Sequence, residues 1–241
     1  MALPTLHLPD VDLRYKRHYG GGNWLDLIEI DYTYPRPFLV NDKSLSNETL
    51  VENGKAPTIT RSYEVCYRCH NKNVVDAQEL AEEEVEAADI IALIKHPQQP
   101  PQIVLVVQFR PATGLYTIEW PSGLLDPNET IQAATLRELK EETGYDGKIL
   151  SVSSALTCEP GMSSSRCCVA QVEIDGTLPC NKNPQPCLEA DEWSLQTITL
   201  PFHQLLPSLQ ALTKRYHPKL VIDSRLYNYA VGLATAQGLG V

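Results

Sequence analysis

The chain has 241 residues, of which 43% are hydrophobic and 21% charged, proportions typical of a folded globular protein. The formal net charge of −10 disfavours a nucleic acid as partner, because that polyanion is bound by basic surfaces. No apolar run is long enough to span a membrane, and the first residues lack the basic-then-apolar order of a signal peptide. We therefore expect a cytoplasmic protein, with the nucleus as an alternative, that has no membrane or nucleic-acid partner.

The N-terminal part is predicted to form a small antiparallel sheet. Residues 1–20 are polar and predict irregular structure, whereas 24–34 and 58–69 show the apolar alternation of strands. The residues between these strands, 35–57, are rich in proline and asparagine and predict a long loop. The acidic run 79–89 reads as a solvated connector.

The rest of the chain alternates strands with a central helix and ends in a helix pair. Predicted strands cover 90–95, 103–109, 116–120, 148–155, 167–174 and 192–200. Helices are predicted at 203–216 and, capped by Asp223, at 224–237. This pattern implies an α/β sandwich over 86–241, preceded by an N-terminal sheet region over 1–85.

The central helix lies in the stretch from Gly123 to Tyr145. Asn128 is the predicted N-cap, Glu129 is placed in the first turn, and Gly144 is the predicted left-handed stop. The apolar side of this helix consists of Ile131, Ala134 and Leu139.

Three carboxylates share one face of this helix. Glu138, Glu141 and Glu142 are spaced i, i+3, i+4, so their like charges repel unless a cation balances them. Clustered carboxylate oxygens suit a hard divalent cation, and Mg²⁺ is the usual one where phosphates are the substrate. An ordinary acidic helix with a solvated face is the structural alternative.

The stretch resembles the Nudix box, in which a glycine loop precedes a helix with Arg-Glu and Glu-Glu pairs. The fixed positions are filled by Gly123, Glu129, Arg137, Glu138, Leu139, Glu141, Glu142 and Gly144, and only the last aliphatic position departs, as Tyr145. The resemblance implies the Nudix α/β/α sandwich and hydrolysis of a nucleoside diphosphate derivative.

Segments around the box resemble the ADP-ribose and ADP-sugar pyrophosphatases of this family. These segments are 108–111 and 118–126, together with Pro160, fifteen residues past Tyr145. The likeness extends over 90–239 and, more weakly, over 23–68. It implies Mg²⁺-dependent hydrolysis of ADP-ribose, and of other ADP-sugars, to AMP and a sugar phosphate.

The resemblance also implies roles for the box residues. Glu138 and Glu142 would bind Mg²⁺, for which Mn²⁺ could substitute, with the backbone carbonyl of Ser122 as a third ligand. Glu141 would bind a further metal ion or orient the other ligands.

Other charged and glycine residues would keep the geometry of the box. Arg137 and Glu129 look like the pair that does so, although an ordinary surface salt bridge is the alternative. Gly123 and Gly144 are the glycines of the motif. Arg110 looks like a contact to the diphosphate, with a surface charge at a strand end as its alternative.

Recognition of adenine is assigned to two aromatic residues. Trp24 and Tyr63 match the positions that stack the base, one from each subunit of a homodimer with exchanged N-terminal segments. Packing of both rings in the N-terminal sheet is the alternative. Further substrate contacts are implied at Glu64, Arg68, Leu124 and Glu159.

A catalytic base is implied on a late loop that carries three acids. These are Glu189, Asp191 and Glu192, and Glu192 is favoured because Glu192-Trp193 matches the Glu-aromatic pair of the family.

Three alternatives stay open at this point. One is hydrolysis of another nucleoside diphosphate derivative. A second is a catalytically silent domain that binds ADP-ribose. The third concerns a zinc site: Cys66-x-x-Cys69-His70, with Cys180 and Cys187, would supply its ligands. Seven cysteines without regular spacing are otherwise typical of reduced thiols.

Overall fold

The computed structural model describes residues 11–22, 25–35, 58–68 and 85–238, apart from the side chains at 34, 35, 68 and 191. The chain divides into two compact units. The first contains 1–84 and 157–165, and the second contains 85–156 and 166–241. Within the described residues, no helix combines the length and the apolar character that crossing a bilayer requires.

The first unit contains an antiparallel sheet with the strand order β1-β2-β3. Its strands are β1 Asp12–Gly21, β2 Leu25–Pro35 and β3 Thr58–Arg68. The last two strands were predicted, but the prediction of irregular structure over 1–20 is wrong for β1. That strand is held by charges across the ladder: Lys16 Nζ lies 2.9 Å and Arg17 Nε 3.1 Å from the Glu29 carboxylate. Cross-strand pairs of this kind stabilise strands that lack an apolar pattern.

Several predictions concern residues outside the described part of the chain. These are Trp24, the loop residues 36–57, and the zinc candidates Cys69 and His70.

The second unit is built on a mixed sheet with the strand order β12-β6-β5-β4-β10-β8, to which β11 adds on β5 and β7 adds on β4. The strands are β4 Ala87–His96, β5 Gln99–Arg110, β6 Leu115–Glu119, β7 Ser122–Leu124, β8 Lys148–Val152, β9 Leu156–Thr157, β10 Arg166–Asp175, β11 Gln196–Pro201 and β12 Leu220–Ile222. The helices are α1 Ile131–Thr143, α2 Pro179–Lys182, α3 Leu205–Tyr216 and α4 Ser224–Ala236.

Two strand boundaries differ from the prediction in ways that affect the site. Strand β4 begins at Ala87, so Glu86 and Asp89, predicted in a solvated connector, are both buried. Strand β11 begins only at Gln196, and Glu192 lies in a 3₁₀ turn before it.

Helices cover both faces of the mixed sheet, which confirms the predicted α/β/α sandwich. The alternation of β5 directs Ile103 and Leu105 into a core with α3 and α4. Val104 points to the other face, into a core with Leu139 of α1. As predicted, Asp223 caps α4 through its side chain.

The sheet forks where β4 changes partner. Its first residues, Ala87–Asp89, pair with β7, and its later residues pair with β5. Strand β6 pairs with β5 instead, and the chain bends at Trp120 and Pro121 before β7 joins β4. At the bend, Ile90 N donates to Pro121 O over 2.9 Å. The residues on either side of this bend form the candidate site.

Candidate active site

Helix α1 begins two residues later than predicted. Thr130 is the N-cap, and its hydroxyl accepts a hydrogen bond from Ala133 N at 3.2 Å, so the assignment to Asn128 is wrong. Asn128 lies in the loop with φ 64°, and Glu129 precedes the helix instead of lying in its first turn. The predicted stop is confirmed, because Gly144 has φ 74° and its N–H donates to Lys140 O.

One guanidinium ties the loop before α1 to the carboxylate face of the helix. Arg137 donates two hydrogen bonds to Glu129, at 2.9 and 2.8 Å, and a third to the Leu124 carbonyl at 2.9 Å. Its Nη1 lies 2.7 Å from Glu138 Oε1 and 3.0 Å from Glu141 Oε2. This pairing with Arg137 lowers the pKa of Glu129. The arrangement joins four groups and is more than the exposed salt bridge that was its alternative.

The Glu138 carboxylate lies against the loop backbone at Gly123. A Cβ built on Gly123 would lie 1.9 Å from Cδ of Glu138 and 2.0 Å from its Oε1. A side chain at this position would therefore displace the Glu138 carboxylate.

Glu142 is the most enclosed carboxylate of the helix. Its residue is 2% exposed, and its Oε2 accepts a hydrogen bond from Ser122 N at 3.0 Å. Burial raises the pKa of Glu142 to about 9; the Ser122 N–H opposes this, while the charges of Glu138 and Glu192 add to it. Burial is also the main cause of the raised pKa of Glu138. A cation bound beside these acids would therefore stabilise their ionised forms.

The donors fit Mg²⁺, although they do not form a complete cage. Within the described residues, no group of three His, Cys, Asp or Glu is arranged to hold a metal ion. Arg137 engages two of the three helix carboxylates, those of Glu138 and Glu141. Mg²⁺ keeps several waters and needs only one or two carboxylates. Glu142 and Glu138, which lie beside the Ser122–Gly123 backbone, supply these hard oxygen ligands. The zinc alternative gains no support from the described cysteines.

Arg110, the last residue of β5, is fixed by a buried acid of β6, Glu119. Its Nε lies 2.9 and 3.2 Å from the two carboxylate oxygens of Glu119, and its Nη2 lies 2.5 Å from Oε2. Thr117 and Gln108 also donate to this carboxylate. The Arg110 side chain is 45% exposed and that of Glu119 only 6%. The Arg110 guanidinium is thus held in a fixed orientation by Glu119, unlike the unattached surface charge at a strand end that was the alternative interpretation.

Glu119 was not predicted as a site residue. Its signal in the sequence is weak, since Thr117 and Glu119 are simply the polar alternates of a short strand that is apolar on its other face.

The late loop holds Glu192 in a reciprocal cap. Its Oε2 accepts a hydrogen bond from Glu189 N at 2.7 Å, while the Glu189 side chain accepts one from Glu192 N. The charge of Glu192 raises the pKa of both Glu138 and Glu142, so its carboxylate lies within electrostatic reach of them. The side chain of Asp191 lies outside the described residues.

The remaining predicted contacts lie in the first unit. The Tyr63 side chain is not in a core: the residue is 44% exposed, and its hydroxyl donates to Gly161 O at 2.7 Å. Glu64 is exposed on the same strand, and the Glu159 carbonyl accepts from two backbone amides of its turn. The Arg68 side chain and Trp24 lie outside the described residues.

The second unit is thus a forked α/β sandwich in which acidic side chains lie beside a glycine loop, an arrangement whose oxygen donors fit a hard divalent cation. The profile of the family described as NUDIX domain matches residues 84–220. The chain therefore belongs to the Nudix family, which confirms the predicted family and fold.

Two relatives and one solved structure illustrate this kinship. The chain is 36% identical over 154 residues to the ADP-ribose pyrophosphatase of Saccharomyces cerevisiae, an alignment covering 64% of this chain and 65% of that protein. It is 36% identical over 151 residues to the ADP-sugar pyrophosphatase of Mus musculus, covering 63% and 68%. A crystal structure of an ADP compounds hydrolase superposes with a TM-score of 0.52 at 15% identity, covering 98% of this chain and 99% of that one, and shows the same fold.

Proposed function

We propose that this protein hydrolyses the diphosphate of ADP-ribose to AMP and ribose 5-phosphate, that it also accepts other ADP-sugars, and that it requires Mg²⁺. The observation that carries the proposal is the buried Glu142 carboxylate, held by the Ser122 amide beside Glu138. The names of the yeast and mouse relatives support the choice of substrate.

The acidic face supplies the metal ligands in this proposal. Glu138, Glu142 and the carbonyl of Ser122 hold Mg²⁺, and Glu141 binds a further ion or orients the other ligands. Mn²⁺ can take the same place. A bound divalent ion neutralises charge on the diphosphate and acidifies water. Arg137 holds the ligands in position relative to the loop, through its contacts to Glu138 and Glu141.

The protein groups around the ligands orient the substrate and move one proton. Arg110 binds a phosphate oxygen, and its pairing with Glu119 fixes its direction in advance. Glu192 accepts the proton of the attacking water. The water oxygen bonds to phosphorus as the bridging P–O bond breaks, and the two phosphates leave as AMP and ribose 5-phosphate. Such a reaction depends mainly on positioning and electrostatics.

Substrate selection is assigned to the first unit and to the glycine loop. Trp24 and Tyr63 stack the adenine, one from each subunit of a homodimer with exchanged N-terminal segments, and the exposed ring of Tyr63 supports this role. The other contacts are Glu64, Arg68, Leu124 and Glu159. The Leu124 carbonyl also accepts from Arg137, so a substrate contact there would be shared. We place the protein in the cytoplasm.

Identification of the products tests the proposal. Purified protein is incubated with ADP-ribose and Mg²⁺, and the products are separated by ion-exchange chromatography. We expect AMP and ribose 5-phosphate in equal amounts, and a Glu142→Gln variant at saturating Mg²⁺ should lose about a hundredfold or more in kcat. The matched control is Glu173→Gln, which removes a half-exposed carboxylate on β10 paired with Lys95.

Other outcomes would contradict parts of the proposal. Full activity of Glu142→Gln would refute the metal site. Preference for a different nucleotide in a substrate panel would show that ADP-ribose is not the main substrate. Calorimetry that detects ADP-ribose binding without any cleavage would favour the silent binding domain, for which a buried, repelling carboxylate set has no evident use.

A further inference from the structure

A second arginine–acid pair lies at the fork of the mixed sheet, on the opposite side of the bend from the Arg110–Glu119 pair. Arg225 Nη1 lies 2.9 Å from Asp89 Oδ2, although the two residues are 136 positions apart in sequence. The side chain of Asp89 is 7% exposed, whereas that of Arg225 is 43% exposed. A buried carboxylate is thus neutralised by a side chain from the first turn of α4.

The guanidinium of Arg225 is fixed relative to the end of β6. Asp223 holds it with two hydrogen bonds, Nε to Oδ1 at 3.1 Å and Nη2 to Oδ2 at 3.0 Å. Asp223 in turn caps α4, and its backbone N donates to the Ile118 carbonyl at 3.0 Å. Arg225 is therefore attached, through Asp223, to β6, the strand that carries Glu119.

Asp89 is fixed relative to the metal-binding backbone. It is the register partner of Ser122 in the β4–β7 ladder. Ser122 N is the donor that holds Glu142. The position of Asp89 is therefore set by the strand pair that carries Ser122, whose carbonyl is one of the proposed metal ligands.

The ion pair between Asp89 and Arg225, called the bridge below, connects, through Asp223, two strands that no backbone hydrogen bonding in the described part of the sheet joins directly. Among the described strands, β4 pairs with β7 and β5 at this edge, and β6 pairs with β5 and β12, so no backbone ladder joins β4 to β6. Hydrogen bonding to Glu119 raises the pKa of Arg110, and the charge of Arg225 opposes this rise, so the two guanidiniums lie within electrostatic reach of each other.

We propose that Asp89 and Arg225 are positioning residues, which set the distance between the metal side of the fork, at Ser122, and the phosphate side, at Arg110. The proposal rests on the proposed function and assigns α4 a part in it. A shift of about 1 Å between groups that hold a reacting diphosphate can cost about a hundredfold in rate.

Substitution of Arg225 tests this role in the full chain. We expect Arg225→Gln to lower kcat for ADP-ribose ten- to a hundredfold, with KM changed less than about threefold. It should also weaken binding of Mn²⁺ alone several-fold, as measured by electron paramagnetic resonance. Arg225→Lys should recover part of both. The matched control is Arg215→Gln, on α3, whose guanidinium lies over the Tyr216 ring and outside the fork.

A double variant separates positioning from simple stability. Asp89→Leu combined with Arg225→Met replaces the bridge with apolar side chains, which commonly restores stability. We expect this variant to regain the melting temperature of the wild type but to keep the low kcat and the weak Mn²⁺ binding. Recovery of kcat and Mn²⁺ affinity together with the melting temperature would overturn the proposal, as would unchanged kcat in Arg225→Gln.

Failure of the proposed function gives a different result. A wild-type protein that does not cleave ADP-ribose would refute that function, whereas a loss of Mn²⁺ affinity in Arg225→Gln would still support the bridge. If Mn²⁺ affinity is also unchanged, the bridge is refuted independently of the substrate.

Discussion

Replacement of Arg137 by lysine is the most informative perturbation of the box. The substitution keeps the positive charge but removes the planar fork, which makes five hydrogen bonds to the loop and the helix. A lysine ammonium has three donors at a single point and cannot reach Glu129, Leu124 and Glu141 together. The loop would therefore lose its attachment to α1, and the helix carboxylates would repel each other with less compensation.

The expected magnitude follows from the bonds that are lost. At least two charge-assisted bonds disappear, each worth about 1.5 kcal/mol at the low end, which suits a side chain that is a quarter exposed. The free energy of unfolding should then fall by about 3 kcal/mol. For a chain of this length, this corresponds to a decrease in melting temperature of roughly 6–12 °C.

Thermal unfolding by circular dichroism, run alongside kcat with ADP-ribose, measures both effects. Arg215→Lys is the control, because it makes the same chemical change at an exposed position of α3 and should shift the melting temperature by about 2 °C or less. If Arg137→Lys melts within about 2 °C of this control and keeps full kcat, the reasoning that Arg137 holds the box together is refuted.

Three further predictions concern single positions. Gly123→Ala should lower kcat about a hundredfold, because the new Cβ would overlap the Glu138 carboxylate. Normal activity in steady-state assays would show that the close contact between Gly123 and Glu138 is not needed. Hydrogen bonding from Lys16 is the main cause that lowers the pKa of Glu29 to about 2, so its stabilising contribution is present above about pH 4.5 and disappears as the pH falls through 2. The difference in unfolding free energy between wild type and Glu29→Gln should accordingly shrink over this range, and a pH-independent difference in urea titrations would disprove the assignment. Thr130→Ala should destabilise the protein by about 1 kcal/mol in the same titrations through loss of the α1 cap, and an unchanged midpoint would show that the cap is dispensable.

Features that depend on residues close in sequence were predictable. The i, i+3, i+4 spacing of Glu138, Glu141 and Glu142 fixes a common face on any helix, and Gly144 can end that helix in the left-handed conformation. The cap of α4 by Asp223 is equally local. Local geometry alone sets these relations, so the sequence determined the acidic face and the Nudix family.

Features that depend on distant residues emerged only from the tertiary structure. Strand β1 has no apolar pattern, and it pairs with β2 in a ladder across which its cations Lys16 and Arg17 meet Glu29. The burial of Asp89 and Glu119 follows from the fork, where each acid meets an arginine supplied by another strand or helix. Charge pairing across a fold leaves no periodic signal along the chain, because which acid meets which arginine is decided by packing. The sequence thus determined the acidic face of α1, and the tertiary structure decided how its carboxylates are held in place.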